Sequence, residues 1–343
     1  MNTAQEPAHE SPLWMVSQAP ALNALVVQLQ HARTAHDQGT SGGKLELSKR
    51  QLVQARSEFS EMIRRGEREL HQLAGLLADA FLGPHQLRSV VIGEVEKTRE
   101  RFTLIGDVSR EELERSTDLD LGTRLLARLA VADERGWRRI GLVSNVVEYE
   151  PAAPNPCSVY RILTRIKAEQ EIWNKVTDEI FDLDAIVLRD KHLRHLGRYV
   201  KDVFGIKMVV GTLEDAYRLQ NELVAHDFGE GAPSRRLEVI EVKDYLERPS
   251  RKQSGWSALK SVVSWGGRTF EIQVQPLSNF LHERERLTRE SHQGFKSTRE
   301  RVRDEVAAKV PLFGFYRSLL RWLLLDPSAD PPVHEGIELS LVD

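Results

Sequence analysis

The sequence predicts an α+β protein, on three observations. The first is a hairpin pattern. Val262 and Val263 are β-branched, Trp265-Gly266-Gly267-Arg268 has tight-turn composition, and the return run alternates. In that run Phe270, Ile272 and Val274 fall on one face, and Glu271, Gln273 and Gln275 on the other. The second is the recurrence of apolar runs of strand length at Ile140 to Tyr149, Ile206 to Val210 and Leu237 to Val242. The third is helical spacing: Leu45, Leu52, Phe59, Ile63, Leu70, Leu73 and Leu77 recur with charges between them.

Composition bounds the class. The chain has 343 residues, 41% hydrophobic and 29% charged, the balance of a globular protein large enough for a catalytic and an accessory domain. A net charge of −3 supplies no global basic field for nucleic acid. The single cysteine, Cys157, excludes an intramolecular disulfide framework and points to a cytoplasmic location. The start, MNTAQEPAHESPLW, lacks a basic region followed by an apolar core, so no signal peptide is expected. Val310 to Leu325 is apolar, but Arg317 and Arg321 interrupt it, which predicts an amphipathic helix and no membrane span.

Taken in order, Ala21 to Ala35 reads as a short helix entered at Pro20, and Gly39 to Gly43 as a flexible break. Lys44 to Leu82 reads as one long helix stopped by Gly83-Pro84. Leu87 to Gly93 fits either a short strand or a helix start. Ser109 to Glu112 has the pattern of a capping box, and Leu121 to Gly136 reads as a further amphipathic helix. Residues 1–140 are therefore expected to be a helical accessory region. After an extended loop from Pro151 to Cys157, a helix is expected from Arg161 to Lys175. Arg161 and Arg165 would share a face of it, as a phosphate clamp or as a solvated basic face. Leu213 to Leu223 reads as a helix and His226 to Arg236 as a loop. The helix after Pro276 carries a stripe of His282, Arg286, Arg289, Gln293 and Lys296. The Pro-rich, acidic tail, Asp326 to Asp343, is expected to lie partly disordered or draped on the surface.

One ordered set of motifs goes further. Lys243-Asp244-Tyr245, Pro249, Gly255-Trp256-Ser257-Ala258-Leu259, Glu271-Ile272-Gln273 and His292 to Lys296 follow one another over some sixty residues. With Asp202-Val203-Phe204-Gly205-Ile206-Lys207 before them, they resemble the synthetase domain of the RelA/SpoT family, over residues 145–305. The resemblance implies a nucleotidyltransferase-like mixed sheet flanked by helices in residues 141–308, after the helical region and before a C-terminal helix and tail in residues 309–343. It implies a pyrophosphokinase that moves the β,γ-pyrophosphate of ATP to the 3′-hydroxyl of GDP or GTP, making the alarmone (p)ppGpp. Under it Asp202, Glu271 and Gln273 are the catalytic residues, and Asp202 and Glu271 hold Mg2+. Lys207, Lys243, Tyr245, Arg286, His292 and Lys296 would contact ATP and the guanine nucleotide, Trp256 would stack on the base, and Arg161 and Arg165, outside the family's motifs, are the candidates to supply the donor charge.

Three positions depart from the family pattern. Ala152 and Pro154 stand where its donor loop has Arg-x-Lys, Trp256 where it has Tyr, and Lys260 where it has His. The altered donor loop keeps two alternatives open. One is a toxic relative that modifies the tRNA 3′ end or an adenine nucleotide, with Arg235, Arg236, Arg251 and Lys252 on the RNA backbone. The other is a non-catalytic nucleotide-binding regulator. The N-terminal helices are expected to serve a regulatory partner or self-association.

Overall fold

The computed structural model describes residues 19–38, 44–95, 100–129, 131–133, 136–138, 140–166, 173–174, 176–178, 181, 204–246, 257–289 and 303–343; for 37, 131–133, 136–138 and 284–289 the description is of backbone alone. The chain divides into two units. The first comprises Met1–Ile63, Lys167–Lys201 and Glu290–Asp343, and the second Arg64–Ile166 and Asp202–Arg289. The division differs from the expected succession of residues 1–140, 141–308 and 309–343.

The first unit is mainly helical. Helix α1 (Pro20–Asp37) opens with Pro at its first turn, where a missing N–H costs nothing. Its N-cap, Ala19, offers no side-chain acceptor. Glu58 substitutes, accepting from the amides of Ala21 at 2.8 Å and Leu22 at 3.2 Å. Strand β1 (Lys44–Ser48) precedes helix α2 (Lys49–Phe81), so Leu45, expected at the start of the helix, is instead buried in a strand. Helix α7 (Pro311–Leu324) is amphipathic as expected and buries Phe313, Tyr316, Leu319, Leu320 and Leu323. The tail is irregular and largely exposed until its last residues, which form a strand. Its end, β12 (Glu338–Val342), pairs in parallel with β1, Leu45 opposite Leu339 and Leu47 opposite Leu341.

The second unit is built on an eight-stranded mixed sheet flanked by helices. Its strands are β2 (His85–Val95), β3 (Arg101–Asp107), β6 (Ile140–Pro151), β7 (Val159–Ile166), β8 (Phe204–Val210), β9 (Glu238–Asp244), β10 (Leu259–Trp265) and β11 (Arg268–Pro276). They lie in the order β3-β2-β6-β7-β8-β11-β10-β9. All neighbours are antiparallel except β8 and β11. A small separate hairpin, β4 (Val131–Asp133) and β5 (Gly136–Arg138), follows helices α3 (Arg110–Arg115) and α4 (Asp118–Leu126).

Three expectations are corrected here. Residues 85–107 form two strands of the main sheet, not part of a helical region. Ser89, Val91, Gly93 and Val95 alternate inward along β2, a period of two that a short window concealed. Helix α4 ends at Leu126 and does not run on to Gly136. The helix expected from Arg161 is strand β7: Val159, Tyr160, Ile162, Thr164 and Ile166 are strand formers, and the strand pairs with β6 on one side and β8 on the other. Arginines four apart share a face in a helix and in a strand alike, so their spacing could not separate the two.

One face of this sheet is apolar. Ile162, Phe204, Ile206, Met208, Phe270, Ile272 and Val274 lie on it and are buried. Each full burial contributes about 1.5–3 kcal/mol. Helix α5 (Leu213–Ala225) closes part of it with Ala216, Leu219 and Leu223, after a capping box between Thr212 and Asp215. The second half of α2 closes another part, and Gly66 lets the Phe204 ring press against the helix backbone. The β10–β11 turn needs left-handed backbone at Gly266 (φ 59°) and Gly267 (φ 78°), which glycine adopts without strain.

Candidate functional site

The opposite face of the sheet is polar, and strand register decides what meets on it. Residues opposite one another on neighbouring strands share a face. Leu163 on β7 pairs with Lys207 on β8, Lys207 with Gln273 on β11, Gln273 with Lys260 on β10, and Lys260 with Lys243 on β9. One row over, Arg165 pairs with Gly205, Gly205 with Glu271, Glu271 with Val262, and Val262 with Glu241. Six residues singled out in the sequence, Arg161, Arg165, Lys207, Lys243, Glu271 and Gln273, therefore lie on one face of five adjacent strands. With neighbouring strands about 4.8 Å apart, β8 and β9 are roughly 14 Å apart, the scale of an extended polyphosphate. Gly205 lies between Arg165 and Glu271, and a Cβ there would meet only backbone oxygens, at 3.7 and 3.9 Å.

The charges on this face are matched. Arg161 reaches Glu148 at 3.2 Å and Glu150 at 3.4 Å on β6. Lys207 meets Glu283 of helix α6 (Leu277–Arg289) at 2.7 Å, and Lys243 meets Glu241 at 2.5 Å. Phe280 of α6 is buried beside them, its ring centroid 5.8 Å from both the Arg161 guanidinium and the Lys207 ammonium. Burial pulls the Lys207 pKa below the ordinary lysine value, with Glu283 opposing. An anionic ligand here would exchange a carboxylate partner for a phosphate at each lysine, so binding is a substitution of partners and not the filling of a bare cationic cradle.

Glu271 is the most buried acid of the face, its side chain 3% exposed. Its Oε1 accepts from the Gln273 amide, and its Oε2 is ion-paired with Lys260. Lys260 is the residue the sequence analysis missed. It was visible as a departure from a family pattern, but its role depends on the hairpin register. Glu271 thus carries a hydrogen bond at Oε1 and an ion pair at Oε2.

The remaining sequence-derived residues are distributed as follows. Tyr245 follows β9, half-buried, with its amide donating to Ala258 O at 3.1 Å. Asp244 accepts from the Tyr217 hydroxyl at 2.9 Å and the Leu246 amide at 2.7 Å, a turn-capping arrangement. Arg286 lies on α6, where the description is of backbone alone. Asp202, Trp256, His292 and Lys296 lie outside the described residues.

A second polar cluster, unforeseen in the sequence, lies in the same unit between α2 and α4. Glu67 and His71 are one helical step apart on α2, and Asp118 opens α4. All three are buried. His71 Nε2 is 2.8 Å from Asp118 Oδ1, and the Asp118 amide donates to Glu67 Oε1. Burial and the neighbouring Asp118 push the Glu67 carboxyl up to about 8. Burial alone would lower His71, but Asp118 and Glu67 outweigh it and hold the imidazole above its usual range. The signal in the sequence was Glu and His at i and i+4; the third member lies 47 residues away from His71.

No family model matches the chain, and no curated protein matches it. No helix among the described residues is long and apolar enough to cross a membrane.

Proposed function

We propose that the polar face of the large sheet is the site of a pyrophosphate transfer from ATP to the 3′-hydroxyl of GDP or GTP. In this reaction the 3′ oxygen attacks the β-phosphorus of ATP. The bond from that phosphorus to the α,β-bridging oxygen breaks, AMP leaves, and the hydroxyl proton passes to Glu271. Gln273 holds the Glu271 carboxylate in position. Lys207, Lys243, Arg161 and Arg165 neutralise phosphate charge, the main demand of a transfer that rests on positioning and electrostatics.

One observation carries this reading. The register of β7, β8, β11, β10 and β9 gathers Glu271, Gln273, Arg161, Arg165, Lys207 and Lys243 on a single face, with Lys260 and Glu241 among them. Lys207, Lys243, Glu271 and Gln273 belong to the motifs whose order resembles the RelA/SpoT synthetase domain. The test is label transfer from γ-labelled ATP with GDP, GTP, ATP or bulk tRNA as acceptor. The expected result is label on a guanine nucleotide, with the rate reduced about a hundredfold or more in Glu271→Gln. Label on tRNA or on ATP instead would move the acceptor to the toxic or adenine branch.

A second reading draws on the Lys260 ion pair. A carboxylate held by a buried ammonium is poorly placed to take up a proton, which favours a nucleotide-binding regulator without turnover. Labelled ATP retained by the protein, with no transfer to any acceptor, would select it.

A further inference from the structure

We propose that Glu67, His71 and Asp118 form a binding site for one divalent transition-metal ion, ligated by His71 Nε2 and one oxygen from each carboxylate. The geometry is that of a collected donor set. One ligand atom from each residue lies within 4.8 Å of the others, in a buried position. Two carboxylates so placed repel each other, and burial removes the water that would screen them.

The protein supplies few donors to compensate. Glu67 Oε1 receives the Asp118 amide, and Asp118 Oδ1 faces His71 Nε2 at 2.8 Å. Asp118 Oδ2 is buried and receives no hydrogen bond from an N–H or hydroxyl among the described residues. The two oxygens of a carboxylate lie side by side, so this bare oxygen belongs to the same cluster. Only a shared proton or a cation can satisfy it. Buried polar atoms left without partners are rare and call for such an explanation.

The fold fixes the backbone of each donor, and His71 Nδ1 is buried without a hydrogen-bond partner among the described residues. Glu67 and His71 project from one face of α2 at i and i+4. Asp118 is held at the first turn of α4 by the capping box of Thr117 and Asp120. Its carbonyl accepts from Asn145 Nδ2 at 2.7 Å, and Asn145 in turn accepts from the Ser89 hydroxyl at 2.7 Å. An imidazole with two carboxylates suits Zn2+ or its first-row neighbours, whereas Mg2+ prefers oxygen alone. Three protein ligands leave a further position for water.

The experiment uses the full chain, stripped with a chelator, loaded with Zn2+ and dialysed into metal-free buffer. The expected result is one equivalent of retained Zn2+ per chain and a Zn2+-dependent rise in melting temperature. His71→Gln and Asp118→Asn should lose both, while His31→Ala, at an exposed histidine, should keep both. Co2+ loading of the wild type supplies a readout that needs no variant: a d–d absorption band is expected. Retention equal in wild type and His71→Gln would overturn the site. So would a wild type with no Co2+ band and no Zn2+-dependent melting shift, even if the variants fail to fold. An equal shift with Mg2+ would overturn the transition-metal assignment.

Discussion

Lys260 stands directly opposite Gln273 in the β10–β11 hairpin, and its ammonium reaches diagonally to Glu271, the carboxylate that Gln273 also holds. The side chains are 15% and 3% exposed, so the pair is largely removed from water. An isolated buried charge is costly, and the ion pair is what makes a carboxylate tolerable at the centre of the sheet.

Lys260→Met should therefore destabilise the protein by about 3 kcal/mol, because it strands the Glu271 charge. The double variant Lys260→Met, Glu271→Gln should recover most of that loss. Urea denaturation of both proteins checks this. Equal losses in the single and double variants would mean that the pair carries no coupling.

Glu67 yields a pH prediction for chelator-treated protein. Its carboxyl is raised from 4.5 to about 8 in the folded state, so between those values the folded chain binds a proton that the unfolded chain does not. The associated stability is full below about pH 4.5, declines as pH rises and is gone above about pH 8. Glu67→Gln lacks this dependence while keeping an oxygen for the Asp118 amide. The stability of wild type relative to the variant should fall across that window by up to about 1.4 kcal/mol per pH unit. A difference that stays flat with pH would contradict the buried, protonated carboxyl.

Two glycines of α2 should respond in opposite directions to alanine. At Gly66 a Cβ would overlap the Phe204 ring, and at Gly75 it would meet nothing within 4 Å. Gly66→Ala should lose about 1–3 kcal/mol through overpacking. Gly75→Ala should gain up to about 1 kcal/mol from helix propensity. Thermal melts of the two variants separate these effects, and similar shifts in both would refute the close approach at Gly66.

How much of this was legible in the sequence follows from the range of each signal. The β10–β11 hairpin, the helix from Leu213 and the capping box at Ser109 are written in residues a few positions apart, and local chemistry decided them. Strand β7 was not legible as a strand, because Arg161 and Arg165 satisfy both helical and strand periods. Its pairing partners supplied the decision. The parallel pairing of β1 with β12 joins the first and last described strands of the chain, beyond the reach of any local pattern. The same holds for the site. Glu271 and Gln273 could be read as one strand face, but Lys260 as partner of Glu271 needed register. The cluster of Glu67, His71 and Asp118 needed two helices brought together.

The most direct measurement is the adenine product formed when purified protein is incubated with ATP and GDP, separated by ion-exchange chromatography. Pyrophosphate transfer at the Glu271 face predicts AMP in one-to-one ratio with a pyrophosphorylated guanine nucleotide, both formed more slowly by about a hundredfold or more in Glu271→Gln. ADP as the product, or AMP formation undiminished in Glu271→Gln, would contradict it.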